Sequence, residues 1–258
     1  MRVALGVEYN GHDFYGWQSQ PGLVTIQGTL EAALSAIANE PINVFCAGRT
    51  DAGVHATGQV IHFDTKAKRH LDAWIFGTNA QLPASMGIRW SRHVDYSFHA
   101  RFKATSRRYR YIIYNHPVRP AILNTRTCWY YYPLDVERMK IAGSFLIGEQ
   151  DFTSFRSSKC NSKSPMRNIS DFVIQRQGDY VIFEIEANAF LHHMVRNIAG
   201  TLMKIGAGFR EVDWMQEVLA AKSRRAAAET AAAGGLYMTT VRYPEPYLFP
   251  LSGPLFLI

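Results

Sequence analysis

The stretch INVFCAGRTDAGVHATGQVIHFD, Ile42 to Asp64, decides how the rest of the chain is read. Its two ends, Ile42–Cys46 and Gly58–Asp64, are short enough and apolar enough to be strands. Between them Gly48, Gly53 and Gly58 surround a single Arg-Thr-Asp triplet, Arg49 to Asp51. That middle has too many glycines for a helix and too little alternation for a strand, so it reads as a tight loop joining two strands. The flanking glycines and alanines remove bulk on both sides of Asp51, which lets a large ligand approach the backbone closely.

Working outward, Val3, Leu5, Val7 and Tyr9 alternate and predict an opening strand. Ile26, Leu30, Ala33, Leu34 and Ile37 fall on one helical face, with Thr25 placed to cap it. A second helix is predicted over Leu71–Ala80, ending before Pro83, and then a strand over Gly87–Val94. Downstream the order recurs. A strand over Ser106–Tyr114 leads to a helix after Asp135, with Met139, Ala142, Phe145 and Leu146 on one face. Strands over Ile169–Arg176 and Val181–Ala187 flank a turn, and a helix runs from near Phe190 to Gly206 or Gly208. An extra helix over Trp214–Ala221, capped by Asp213, precedes a last strand, Tyr237–Tyr243. Both halves therefore follow β-α-β-β-α-β, the split βαβ or RRM-like order. The expected class is α+β, with mostly antiparallel sheets. The halves are expected at residues 1–104, carrying the Asp loop, and 105–258, carrying a tyrosine strand and an arginine helix.

Composition bounds the function. The chain has 258 residues, 47% hydrophobic and 19% charged, which is globular and not disordered. Cys46, Cys128 and Cys160 form no C-x-x-C pair, so neither a disulfide scaffold nor a cysteine zinc site is expected. The opening residues alternate and do not form the apolar stretch of a signal peptide, and no apolar run approaches the ~20 residues of a membrane span. A cytoplasmic protein is expected. The formal net charge is +7, unevenly spread. Tyr96 to Leu134 holds seven Lys or Arg and no acid, and Phe152 to Ser170 holds Arg156, Lys159, Lys163 and Arg167, also with no acid. Cations interleaved with Tyr and Phe form the electrostatic footprint of a nucleic-acid binder.

Several chemistries are excluded by motif. Gly48 and Gly53 have P-loop spacing, but Val54 stands where the phosphate lysine belongs. Gly206-Ala207-Gly208 follows a helix and lacks the third glycine of a dinucleotide fingerprint. His192 and His193 belong to no H-E-x-x-H run, and there is no G-x-S-x-G elbow. No metal and no cofactor are expected. What remains is Asp51, whose plainer reading is a turn residue paired with Arg49. Two further segments carry possible chemistry. In Ser106-Arg107-Arg108-Tyr109-Arg110-Tyr111, Tyr109 and Tyr111 share one strand face and Arg108 and Arg110 the other. Either tyrosine could stack on an unpaired base or pack into the sheet. In His192-His193-Met194-Val195-Arg196-Asn197, Arg196 lies in an otherwise apolar helix. It needs an acid from elsewhere if buried, or sits at the helix's exposed edge.

Taken with Phe98-His99-Ala100-Arg101, these segments resemble a known family. GRTDAGVHA, FHAR, RRYRY, DFTSFR, HHMVRN and the late GLYM are similar to the TruA-type tRNA pseudouridine synthases, in order and over nearly the whole chain. The resemblance implies homodimers, free of cofactor and metal, whose two similar α/β halves flank a central basic cleft and which convert uridine to pseudouridine at positions 38, 39 and 40 of the tRNA anticodon arm. It implies Asp51 as nucleophile, Arg196 as its ion-pair partner, Tyr109 against the target uracil, and Leu236 in the uracil pocket. Arg49 and Arg101 match positions that flip the base and hold the RNA backbone. Phe98, His99, Phe102, Lys159 and Lys163 are expected as further tRNA contacts. The chain departs from the family where Thr230-Ala231-Ala232-Ala233-Gly234-Gly235 precedes Leu236, since many members carry Pro there, and at Gln150, where many carry His. Two other classes compete: a non-catalytic RNA-binding or chaperone protein, and a Mg²⁺ nuclease. The nuclease is disfavoured because the nearest acids, Glu40 and Asp64, lie outside the Asp51 loop.

Overall fold

The computed structural model describes residues 1–251. The strands are β1 (Arg2–Tyr9), β2 (Phe45–Cys46), β3 (His55–Asp64), β4 (Met86–Val94), β5 (Ser106–Asn115), β6 (Cys128–Tyr130), β7 (Gly148–Asp151), β8 (Met166–Gln177), β9 (Tyr180–Ala187) and β10 (Leu236–Arg242). The helices are α1 (Ile26–Ala38), α2 (Thr78–Gln81), α3 (Val136–Ser144), α4 (Met194–Gly206) and α5 (Trp214–Ala221). The class is α+β with mixed strand pairing. Two compact units result, one of Met1–Thr105 with the chain from Tyr237 onward, the other Ser106–Leu236. The last strand thus groups with the first unit, whereas a division at 104/105 leaves it with the second half. Its register gives the reason, since Tyr237 and Met238 pair in parallel with His55 and Ala56 of β3.

In the first unit the strand order is β4-β1-β3-β10, with β2 also on β3. β1 runs antiparallel to β3, from Arg2 opposite Asp64 to Tyr9 opposite Ala56, and antiparallel to β4 on its other side. Helix α1 begins where the spacing predicts. Thr25 is extended and its Oγ1 accepts from Gly28 N at 3.2 Å, and Ile26, Leu30 and Leu34 are fully buried. Each such side chain contributes about 1.5–3 kcal/mol of apolar burial. The predicted second helix forms differently. Ala73–Gly77 is a π-helical turn with Trp74 buried, followed by the single α-turn α2. Residues 42–44 lie outside the paired strand, which is confined to Phe45–Cys46.

In the second unit the order is β5-β9-β8-β7, with β6 parallel to β5. The helices α3 and α4 pack on this sheet around Met139, Ile198 and Leu202, all fully buried. Asp135 caps α3, its Oδ1 accepting from Glu137 N and Arg138 N at 2.9 and 3.1 Å. Two expectations are corrected. Asp213 precedes α5 but makes no capping hydrogen bond, because its own backbone is already helical. Helix α4 starts at Met194 and not near Phe190, since His193 adopts a left-handed φ of 65° that a continuing helix cannot contain. No helix among the described residues is long and apolar enough to cross a membrane.

Candidate active site

Asp51 sits half-buried in the loop between β2 and β3, and the residues on either side of it are tied down. Thr50 is buried, its Oγ1 2.8 Å from the Tyr9 hydroxyl and its carbonyl accepting from Trp17 N at 2.9 Å. Gln59 spans the loop's base, donating from Nε2 to Gly48 O at 2.6 Å and to the Tyr9 hydroxyl at 3.4 Å. The Asp51 carbonyl accepts from Val54 N at 3.1 Å, closing the turn. Burial pushes the Tyr9 phenol well above its ordinary range, against the hydrogen bonds from Thr50 and Gln59, so it stays a neutral hydroxyl.

A second segment braces the loop from outside. Gly16 has φ +81°, and a Cβ there would lie 2.9 Å from Thr50 O, 3.0 Å from Ala52 N and 3.1 Å from Asp51 C. Only glycine combines that dihedral with so close an approach. Sequence reasoning passed over Tyr9, Gly16 and Gln59. The one signal was the pair of glycines in Asn10-Gly11-His12-Asp13-Phe14-Tyr15-Gly16, ahead of a helix cap.

Arg49 and Arg101 are both exposed. Desolvation lifts the Cys46 thiol to about 12, opposed first by Arg49 and then by Arg101, so both cations project their field onto the start of the Asp51 loop. Arg101 lies over the exposed Phe102 ring at 5.6 Å, and Phe102 packs on His99 at 4.3 Å. His99 in turn meets Phe45 at 5.5 Å and His62 at 4.6 Å. Burial holds His62 down at about 4 and also lowers His99, so both rings are neutral near pH 7. Phe45 is 52% exposed and completes a strip of aromatic faces beside two arginines. Its strand position gave no warning of this. Phe98 does not belong to the strip. It is 0% exposed and packs on Tyr243, Tyr247 and Phe249, so it is core and cannot touch RNA as expected.

The other expected residues lie on the second unit. Tyr109, 8% exposed, meets Phe190 edge to face at 5.0 Å. Tyr111 resolves to the core alternative, stacked on Phe183 at 5.4 Å with its hydroxyl donating to Ala232 O at 2.7 Å. Arg108 and Arg110 do not make a basic RNA face. Arg108 binds Asp171, Glu184 and Glu186 at 2.6, 2.9 and 2.8 Å, and Arg110 Nε donates to Glu184 at 2.8 Å. Those acids come from β9, which pairs with β5, and from β8 beyond it, where a local charge count cannot see them.

Arg196, in the first turn of α4, donates from Nε to Ala231 O at 2.8 Å, and its own carbonyl accepts from Ala231 N at 3.1 Å. Asn197 beside it accepts from the Thr230 hydroxyl at 2.7 Å. These bonds fix the segment ahead of Leu236, which is buried at the start of β10. Ala232, where many family members have Pro, holds φ −57°, the value a proline ring imposes. The departure therefore leaves the local path unchanged. Lys159 and Lys163 are exposed on a loop whose two flanking arginines are spent internally. Arg156 donates to Cys160 O and Ser162 O at 2.6 and 2.8 Å, and Arg167 to Ser162 Oγ at 2.7 Å.

A family model described as tRNA pseudouridine synthase matches residues 6–103 and 142–244, which include Asp51 and Arg196. This chain belongs to the tRNA pseudouridine synthase family. Relatives named tRNA pseudouridine synthase A match it end to end. One from Shewanella sp. (strain MR-4) is 55% identical and covers 100% of both chains. One from Klebsiella pneumoniae subsp. pneumoniae is 55% identical over 99% of this chain and 96% of its own. A third, from Photorhabdus laumondii, is 54% identical over 100% and 98%. Tyr109 and the three arginines of β5, Arg107, Arg108 and Arg110, lie between the two segments matched by the family model. The full-length identity to these synthases nevertheless spans them.

Proposed function

We propose that this tRNA pseudouridine synthase isomerises uridine at positions 38, 39 and 40 of the tRNA anticodon arm, with Asp51 as the nucleophile. The observation that carries the assignment is a carboxylate half-exposed on a loop anchored at both ends, within the GRTDAGVHA run of a family member. Membership favours catalysis over the alternative of a passive RNA binder or chaperone.

The chemistry suits such a group. The N1–C1′ bond breaks, uracil turns, and a C5–C1′ bond forms. The C5 hydrogen leaves and N1 gains a proton, so atoms balance without a second substrate. A fixed carboxylate that adds covalently to the sugar or base divides this into two easier steps. The target nucleotide must first leave its stack, which costs roughly a few kcal/mol. In this reading Arg49 and Arg101, with Phe102, His99 and Phe45, offset that cost on the first unit. Tyr109 and Leu236 contact the uracil, and Arg196 pairs with Asp51. Lys159 and Lys163 meet the RNA backbone. The reading also takes each half as a split βαβ module lining a basic cleft, and the enzyme as a cytoplasmic homodimer.

The test is Asp51→Asn with unmodified tRNA transcript. Pseudouridine formation should vanish while tRNA binding persists. Product formed at the wild-type rate would remove Asp51 from the chemistry.

A further inference from the structure

The second unit contains a cavity of about 770 Å³ that none of the residues assigned to the reaction enters. Its walls are Lys204, Phe209, Arg210, Trp214, Arg224 and Arg225, with the chain from 226 to 229. Three stretches meet there: the last turn of α4, the start of α5, and the 3-10 turn after α5. Four cations face one carboxylate, Glu229, whose side chain is 84% exposed and 3.8 Å from Lys204 Nζ.

The positive charge is positioned and left largely uncancelled. Arg224 is half-buried, and its guanidinium donates to Asn197 Oδ1 and Thr230 Oγ1, each at 3.1 Å, and to Ala227 O at 3.3 Å. All three acceptors are neutral, so the group is fixed in direction with its charge intact. Burial lowers its pKa, with Glu229 acting in the opposite sense. Arg210 lies over Trp214 at 5.2 Å and Lys204 over Phe209 at 5.5 Å, so aromatic faces hold both cations at the cavity wall. Among the described residues neither Arg210 nor Arg225 takes part in an ion pair. The acid next in sequence, Glu211, is engaged by Arg138 at 3.1 Å.

A concave surface of one sign with apolar walls concentrates potential and attracts counter-charge. Three guanidinium forks and one ammonium match the tetrahedral oxyanions of phosphodiesters. We propose that this cavity binds phosphate groups of the substrate RNA backbone, as an anchor contributing affinity and not chemistry. The proposal rests on tRNA being the substrate.

The test uses the double variant Arg210→Ala, Arg225→Ala, two exposed side chains whose loss leaves the Arg224 network in place. Thermal unfolding checks the fold. Binding of tRNA is measured by fluorescence anisotropy between about 50 and 200 mM salt, and a parallel titration uses ATP and inorganic phosphate. The variant should bind tRNA at least tenfold more weakly at the low-salt end. Its slope of log affinity against log salt should fall by about two, one per lost phosphate contact. Unchanged affinity and slope overturn the proposal. So does tight ATP or phosphate binding that the variant loses while tRNA affinity stays the same, since the cavity would then serve a free nucleotide or phosphate. Pseudouridine formation by the wild type, measured separately, tells failure of this site from failure of the functional reading.

Discussion

Replacing Gly16 by alanine puts a methyl group into the support of the Asp51 loop. At φ +81° the alanine backbone itself costs about 1–2 kcal/mol. The added Cβ would meet Thr50 O, Ala52 N and Asp51 C at 2.9, 3.0 and 3.1 Å, all backbone atoms that cannot turn aside. The loop must therefore move by several tenths of an ångström, and a reacting group misplaced by about 1 Å can lose roughly a hundredfold in rate. Gly22 provides the control. Its φ is +75° with nothing within 4 Å of where a methyl group would stand, so Gly22→Ala carries the backbone cost alone. Gly22→Ala should lower the Tm by about 2–8 °C, the equivalent of 1–2 kcal/mol in a chain of this size, with kcat unchanged. Gly16→Ala should lose more stability and about tenfold to a hundredfold in kcat, with KM for tRNA little altered. The assay follows the chemistry, because tritium placed at C5 of the target uridine is released as pseudouridine forms. A Gly16→Ala enzyme whose kcat lies within twofold of Gly22→Ala would refute the claim that this contact positions the carboxylate.

Two other outcomes are expected. His62 titrates at about 4 when folded because burial, then His99 and Arg2, disfavour its charge, and its Nδ1 accepts from Ala100 N at 3.2 Å. The unfolded chain takes up that proton first, at about pH 6.5. The contribution to stability is therefore present above pH 6.5 and is lost as pH falls towards 4, by on the order of 1–2 kcal/mol down to about pH 5. His62→Gln should flatten that part of the Tm profile, and an identical profile in the variant would assign the acid sensitivity elsewhere. Tyr109→Phe should retain most activity and Tyr109→Ala should lose about fivefold to a hundredfold, the range of one base–aromatic stack. Equal losses in the two variants would transfer the role from the ring to the hydroxyl.

What could be read from sequence depended on how far apart the interacting residues lie. Helix α1 was legible because its cap, Thr25, and its buried face sit within one short window. The Asp51 loop was legible for the same reason, through its glycines. The meaning of Arg108 and Arg110 was not, since Asp171, Glu184 and Glu186 follow more than 60 residues later. Phe98 looked like a surface aromatic beside His99 and Arg101, but its core partners Tyr243, Tyr247 and Phe249 come from the far end of the chain. The start of α4 is not legible, because nothing local marks His193 as left-handed. β6 and β7 are three and four residues long, too short to show a period.

The carboxylates around Arg108 and Arg110 have a consequence for how this enzyme can change. From Arg108 to Tyr111 of β5, arginines and tyrosines alternate, with Tyr109 opposite Ile185 and Arg108 opposite Glu186. A slip of one residue would send Arg108 and Arg110 into the apolar side and Tyr109 and Tyr111 out among the acids. Such a strand has no intermediate setting. A single residue gained or lost between Ser106 and Tyr111 would remove Tyr109 from its place altogether. The ion cluster thus works as a detent, and it forbids a change of length along this strand while Tyr109 keeps its place against Phe190.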